Sequence, residues 1–376
     1  PDPQAPGRLG GGAVRALCRD GRGNVWVGTW EGGLFRYDRE KGRFEGFRHT
    51  PGRPGSLGRN TVNCLLVDRS GLLWIGLEGG GAASLNLRAA ENFPLYTHDP
   101  GDPSGLASSM VLALGRDSSG AVWVGTDRGL DRIDRSWKSV RSFRPDPQRP
   151  DSLAGESVRA VLADSRGFLW VGTAGGGLQR LYLPALDRGG FFAPLRRDPP
   201  FRRFYHDPSR ENSLAEADVT VLLEDREGLL WVGTAGEGLD CFDPRKETFT
   251  HHRYDPDALF SLGGNTVTCL LEDRFSHLWV GTEGTGLARY DRSTDRFVRL
   301  REDHGTPSVG TPTCLLEDRR GRIWVGTEGG LRRLDRARGV LVEVPEVRPP
   351  GEDAVTGMLE DDTGSLWIAT RGGLCR

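Results

Sequence analysis

The stretch LWVGTEGTGLARYD at 278–291 decides the fold, because the chain writes it again and again. Close copies stand at 73–87, 169–182, 230–243, 323–335 and 366–376. Their core, W-[VI]-G or W-I-A, recurs at Trp26, Trp74, Trp123, Trp170, Trp231, Trp279, Trp324 and Trp367. Successive tryptophans lie 48, 49, 47, 61, 48, 45 and 43 residues apart. That period matches a unit of four short strands.

Each unit divides accordingly. The first strand is V-x-x-L-L-x-D, as in Val62–Asp68, Val219–Asp225 and Val267–Asp273. Its D-x-x-G ending closes a tight hairpin, since Asp favours the first turn position and Gly accepts the left-handed one. One copy departs, with Ser276 in the Gly position after Asp273. The second strand, LWVGT, puts Trp and Gly on one face by its two-residue period. A glycine there weakens the strand unless a neighbour approaches closely, so tight sheet-on-sheet packing is expected. The third strand is GL-x-R-[YLI]-D, as in Gly33–Asp38 and Gly286–Asp291. The fourth carries spaced apolar residues such as Phe44 and Phe47, or Phe201 and Phe204. A polar crossing follows, for example HDPGDPSGLASS at 98–109. It is too long for a hairpin, so the chain passes there to another sheet. Meandering four-stranded sheets joined by crossings describe an all-β propeller of antiparallel blades. Closing the ring buries both faces of each sheet and leaves few edges.

The units run at about 14–60, 61–109, 110–156, 157–217, 218–265, 266–310, 311–353 and 354–376, so the chain reads as one domain over 1–376. There are eight first, second and third strands, but seven fourth strands. Eight blades are favoured over seven blades plus a remnant. A remnant would expose Val355, Leu359, Trp367, Ile368 and Leu374. The segment 1–10 is a candidate cover for the last blade's edge, although its three prolines make it a weak ladder partner. The longest step holds an insertion at 183–200, LPALDRGGFFAPLRRDPP, between the third and fourth strands of the fourth unit. A tolerated surface excursion is its plain reading. Phe191 and Phe192 beside Arg196 and Arg197 keep a partner-contact role open.

Composition narrows the function. Fifty basic and 52 acidic residues give a net charge of −2, which argues against a nucleic-acid partner. No run of eighteen apolar residues exists, so no membrane-spanning segment is expected. The start, PDPQAPGRLGGG, lacks the charged and apolar regions of a signal peptide and reads as a mature or trimmed terminus. The six cysteines show no CxxC or zinc spacing. Cys64, Cys269 and Cys314 share one repeat position with Ala16, Ala113 and Ala160, so packing as small free thiols is expected. His49, His98 and His206 open crossings once per unit, which suits hydrogen bonding within the turn rather than metal ligation. His251 and His252 fall on opposite faces of a strand and cannot chelate together. No metalloprotease, phosphate-loop or serine-elbow motif appears. Neither a cofactor nor a metal is expected, and no catalytic residue is assigned.

Candidate binding residues come from places where the repeat varies. The core tryptophans recur eight times and read as blade centres. Trp30 differs, because it stands in the turn between second and third strands, where other copies have Ala174, Ala235, Glu283 or Glu328. That turn is expected near the channel mouth. An aromatic beside Glu31 there suits stacking on a ligand, with packing as the alternative. The same turn supplies Glu78, Asp127, Arg128, Glu237, Glu283, Glu328 and Arg371 as candidate polar contacts. Solvated turn charge is the plain alternative. The innermost strand lies nearest the axis, and its second residue varies: Arg15, Asn63, Leu112, Arg159, Thr220, Thr268, Thr313 and Thr356. Arg15, Asn63 and Arg159 are the candidates to line the channel.

Three copies carry a family resemblance: LLVDRSGLLWIGLEGGGAASLN at 65–86, LLEDREGLLWVGTAGEGLDCFD at 222–243 and LLEDRRGRIWVGTEGGLRRLD at 315–335. With HDP and S-L ahead of the next copy, this phrase resembles the two-component regulator propeller repeat over about 14–376. The resemblance implies the sensor half of a bacterial signalling protein, periplasmic or extracellular. A β-sandwich, a transmembrane helix and a histidine kinase or other output usually follow, and some members respond to oligosaccharides. Family propellers commonly come as two seven-bladed rings, whereas this chain has eight copies and shows no sandwich, membrane helix or kinase motif. The expected role is therefore a non-enzymatic sensor that binds a small molecule, with an oligosaccharide as candidate, and is read by a downstream signalling domain or partner. Two rivals stand beside it. One is a propeller lyase or glycosidase, which needs acid–base groups converging on one pocket. Glu31, Glu78, Glu237, Glu283 and Glu328 are instead scattered by blade. The other is a protein-interaction scaffold served by 183–200.

Overall fold

Eight meandering sheets stand in a ring, each inner strand against the next and the last against the first. The computed structural model describes residues 9, 12–87, 92–102, 104–134, 139–187, 200–284, 286–302, 310–344 and 354–376. The inner strands are Val14–Arg19, Val62–Val67, Val111–Arg116, Val158–Ala163, Val219–Glu224, Val267–Glu272, Pro312–Glu317 and Val355–Glu360. Blades one to six have four antiparallel strands in sequence order. Blade seven gains a short fifth strand, Arg301–Glu302, parallel to Val340–Glu343. Blade eight has three strands. Its Val355, Trp367 and Ile368 are buried in the ring, so the eight-bladed reading holds.

The D-x-x-G hairpin does more than turn the chain. In blade two the amide of Gly71 donates to Asp68 O at 3.2 Å, and Gly71 sits at φ +86°. Ser276 adopts the same left-handed conformation at φ 62°, at a cost a glycine would not incur. The Asp68 side chain accepts the amides of Ser70 and Leu72 through Oδ1 and the Trp74 indole N–H through Oδ2, at 2.9 Å. All eight blades repeat the indole bond, from Asp20–Trp26 at 2.9 Å to Asp361–Trp367 at 3.0 Å. Each tryptophan thereby buries its ring while its one polar atom keeps a partner.

In blades one to seven the glycine two residues after the tryptophan sits under the next blade. A Cβ on Gly28 would lie 2.5 Å from Val62 Cγ1, and one on Gly233 would lie 2.9 Å from Val267 Cγ1. Small side chains opposite share that space. Cys64, Cys269 and Cys314 pair with Gly76, Gly281 and Gly326, and all six cysteines are free. Burial pushes the thiols of Cys64 and Cys269 up to about 12 and that of Cys314 to about 11, so they behave as small apolar groups. Blade eight swaps the methyl across the pair, with Ala369 opposite Gly357.

Crossings are tied down by their leading histidines. Nδ1 of His49, His98 and His206 donates to the carbonyls of Leu57, Leu106 and Leu214 at 2.6, 2.9 and 3.0 Å. His251 and His252 do lie on opposite faces. His251 bonds Asp240 and Glu211 O, whereas His252 stacks on Trp231. The insertion begins as a short helix, Leu183–Asp187, whose Leu183 and Leu186 pack with Phe143 and Phe201. Phe191, Phe192, Arg196 and Arg197 lie outside the described residues. Within 1–10 only Leu9 is described, packed on Val14, Trp367 and Ala369.

The ring closes between blades eight and one. Thr356 Oγ1 donates to Val14 O, Arg19 pairs with Asp362, and Tyr37 meets Trp367 edge-on at 4.8 Å. Among the described residues no helix is long and apolar enough to cross a membrane.

Candidate functional site at the channel mouth

The turns between second and third strands share one rim with the starts of the inner strands. A main-chain bond fixes this in every blade. The amides of Trp30, Glu78, Asp127, Ala174, Ala235, Glu283, Glu328 and Arg371 donate to the carbonyls of Ala13, Thr61, Met110, Ser157, Asp218, Thr266, Thr311 and Ala354. Each acceptor directly precedes its own blade's inner strand. Turn residues and strand starts are thus held side by side around the axis.

Four sequence candidates come together on this rim. The Arg15 guanidinium lies 3.7 Å over the Trp30 ring. Its Nη1 also donates to Asn63 Oδ1 and to Glu78 Oε2, the latter at 2.9 Å. Asn63 in turn donates to Val111 O at 3.0 Å. Blades one, two and three are linked in one chain of contacts. Trp30 keeps 37% of its surface exposed, so the stack with Arg15 covers part of it. Glu31 beside it is exposed, at φ 60°, with its amide on Thr61 Oγ1. The turn is braced by Arg48, whose Nε donates to Gly32 O at 3.1 Å.

The remaining candidates are spread around the ring. Arg159 is the second residue of the inner strand of blade four, exposed and without a hydrogen-bond or ion-pair partner among the described residues. The turn of its own blade carries Ala174 and that of blade five Ala235. Arg128, Glu283, Glu328 and Arg371 are exposed on separate turns. Glu237 pairs with Arg253 at 3.1 Å. Asp127 holds one buried carboxylate oxygen without a hydrogen-bond partner among the described residues. The second residue of the inner strand proves to be a staple more often than a channel lining. Thr220, Thr268, Thr313 and Thr356 each donate to the first carbonyl of the next inner strand, as Asn63 does. Arg15, Leu112 and Arg159 make no such bond among the described residues.

Two rim residues were not legible as candidates. Glu216 accepts the amides of Gly236 and Glu237 at 2.6 and 3.1 Å, and Asp218 accepts that of Gly175 at 2.7 Å. Asp218 directly precedes the inner strand Val219–Glu224, the position that supplies every turn acceptor, and that register is the signal that could have found it; Glu216 lies two residues earlier.

A separate cleft of about 740 Å³ opens between the crossings into blades three and four, lined by Asp99, Asp102, Arg144, Asp146 and Arg149. Its carboxylates are engaged in their own turns: Asp99 holds Gly101 N, Asp102 holds Ser104, and Asp146 holds Gln148 N. Behind it lies Asp131, fully buried, which accepts the Ala107 amide at 3.0 Å and the Ser142 hydroxyl. Burial raises its carboxyl to about 6, against the lowering effect of those bonds and of Arg144 and His98. The equivalent Asp240 holds the Ala215 amide and His251, and Gln179 holds Ala154. These side chains clamp crossings to blades. Among the described residues no group of three His, Cys, Asp or Glu is placed to hold a metal ion.

Fold and rim together define an eight-bladed β-propeller with a variable polar mouth. Six stretches of the chain match the family model described as two component regulator propeller, at residues 8–31, 56–79, 152–175, 213–236, 261–284 and 307–329. No curated protein matches the chain. Among solved structures, it is similar to the extracellular domain described as that of a hybrid two component system, BT3049, from B. thetaiotaomicron: TM-score 0.61, 19% identity, 97% of this chain and 57% of that one. A second, from the same organism, is the extracellular domain described as that of a one component system, BT4673: TM-score 0.58, 18% identity, 96% of this chain and 52% of that one. The chain thus spans about half the length of both. A third is a catalytically inactive virginiamycin B lyase from Staphylococcus aureus with quinupristin: TM-score 0.54, 14% identity, 82% of this chain and 92% of that one. At these identities the likeness is one of fold.

Proposed function

We propose that this propeller is a non-enzymatic ligand-binding sensor module, with its site on the rim where turns meet the inner strands. One observation carries the reading. The scaffold positions Asp and Trp are the same in all eight blades, whereas the rim positions differ, and Arg15, Trp30, Asn63 and Glu78 gather into one half-exposed cluster. An aromatic face and directional donors beside it suit a polyhydroxylated ligand such as a mono- or oligosaccharide. The likeness to extracellular domains of bacterial signalling systems supports a sensor placed outside the cytoplasm. Contacts made across several blades would favour one blade arrangement, which a downstream signalling partner reads.

The lyase-like neighbour favours an enzyme as the second reading. General acid–base chemistry needs two groups within reach of one substrate. Here Glu78 is paired with Arg15, Glu237 with Arg253, and Glu31, Glu283 and Glu328 stand on separate turns. A thermal-shift screen against saccharides, amino acids and nucleotides tests the proposal, because a ligand of the folded state raises Tm by mass action. The expected result is a shift with one saccharide class that Trp30→Ala abolishes. No shift with any saccharide contradicts it.

A further inference from the structure

Blades three, four and five each clamp the crossing that enters them with one residue of the third strand. Asp131, Gln179 and Asp240 accept the amides of Ala107, Ala154 and Ala215. Blade two has Ala83 at this position. Across the strand pair, Asp131 faces Ser142, Gln179 faces Arg203 and Asp240 faces His251. Blade five thus brings an imidazole to its clamp.

His251 uses both ring nitrogens. Nδ1 lies 2.6 Å from Asp240 Oδ1, and Nε2 lies 2.7 Å from Glu211 O in the middle of the crossing. A carbonyl only accepts, so Nε2 carries a proton. A second proton must lie between Nδ1 and the carboxylate. Neutral imidazole has a single N–H, so the bridge holds one proton more than neutral histidine beside an ionised aspartate. Asp240 is fully buried, and its Oδ2 takes the Ala215 amide at 2.7 Å. The ring therefore ties the middle of the crossing to the same carboxylate that grips its end.

The groups around the ring set its proton affinity. The bond to Asp240 raises the imidazole pKa above its ordinary value, while burial and Arg253 lower it. His252 points to the opposite face, onto Trp231. On the crossing, His206 bonds Leu214 O, Asp207 lies 3.8 Å from Arg210, and Glu211 is exposed. Across the junction with blade four, Glu247 pairs with Arg180 and Arg202.

We propose that His251 is a proton-operated latch on the crossing from blade four to blade five, and through it on two turns of the rim. Glu216, next to Ala215, accepts the amides of Gly236 and Glu237, and Asp218 accepts that of Gly175. Loss of the proton leaves His251 with one N–H for two acceptors. One bond breaks, the crossing loosens, and the turns after Thr173 and Thr234 lose their fixed backing. The bridge is intact below the ordinary histidine pKa and is lost as pH rises through the higher folded value. The inference does not depend on which ligand the rim takes.

Hydrogen exchange tests the latch, with each amide rate divided by its intrinsic rate at the same pH. The crossing at 49–57 is the internal control. His49 holds Leu57 O there as His206 holds Leu214 O, but blade two has Ala83 in place of Asp240. Between about pH 6 and about pH 9, protection at 206–217 is expected to fall at least about fivefold relative to the control. His251→Gln should remove that dependence. The comparison of the two crossings within the parent needs no substitution, so it decides the matter even if His251→Gln does not fold. An equal change in both crossings, no change in either, or a pH dependence that survives in His251→Gln would each overturn the proposal.

Discussion

Asp68 Oδ2 accepts the Trp74 indole N–H at 2.9 Å while Asp68 Oδ1 holds the amides of Ser70 and Leu72. One carboxylate thus sets the hairpin and orients the blade's central ring. Replacing Asp68 with Ala leaves a buried indole N–H and two turn amides without their acceptor. The expected cost is about 2–4 kcal/mol, read by denaturant unfolding. Asp68→Asn keeps one acceptor oxygen and should cost less than half as much. Equal losses would mean that the turn geometry, not the bond, matters.

Close approach of the blades makes the W-x-G glycine intolerant of a single methyl. A Cβ on Gly233 would stand 2.6 Å from Val221 Cγ1 and 2.9 Å from Val267 Cγ1. Gly233→Ala is expected to cost about 1–3 kcal/mol by overpacking. At Gly357 a Cβ would meet Ala369 at an ordinary 3.8 Å, so Gly357→Ala should lie within about 0.5 kcal/mol of the parent. Comparing the two unfolding midpoints checks both.

Buried Asp131 gives a pH signature. Its carboxyl titrates near 6 when folded and near 3.8 when exposed, so between these values the folded state binds the proton more tightly. Stability from this group therefore falls as pH rises from about 4 to 6, by roughly 3 kcal/mol at most. Asp131→Asn removes the titrating group. Its stability relative to the parent should improve across that window and level off above it. A pH-independent difference between the two proteins would contradict the assignment.

Much of this was legible because the chain repeats itself. Aligning seven copies of W-x-G and one of W-I-A predicts the sheets, the crowded glycine and the ring, and the turn of Trp30 is expected near the channel mouth. What could not be read were relations between blades. Arg15 reaches Asn63 and Glu78, 48 and 63 residues away, because blade-to-blade register sets those distances. For the same reason Asn63 reads as channel lining, although it staples the next inner strand as Thr220 and Thr268 do. The Asp68–Trp74 bond was hidden differently. Aspartate is already explained by its turn, so its second role leaves no further mark in the sequence.

The central claim is that the rim around Trp30 binds a saccharide, and tryptophan fluorescence tests it most directly. The eight core tryptophans are buried, whereas Trp30 is partly exposed. Titrating a panel of mono- and oligosaccharides into the parent and into Trp30→Phe isolates its signal. The account predicts a saturable change in the parent with at least one saccharide class, lost in Trp30→Phe. No change with any saccharide, or a change that persists in Trp30→Phe, would contradict it.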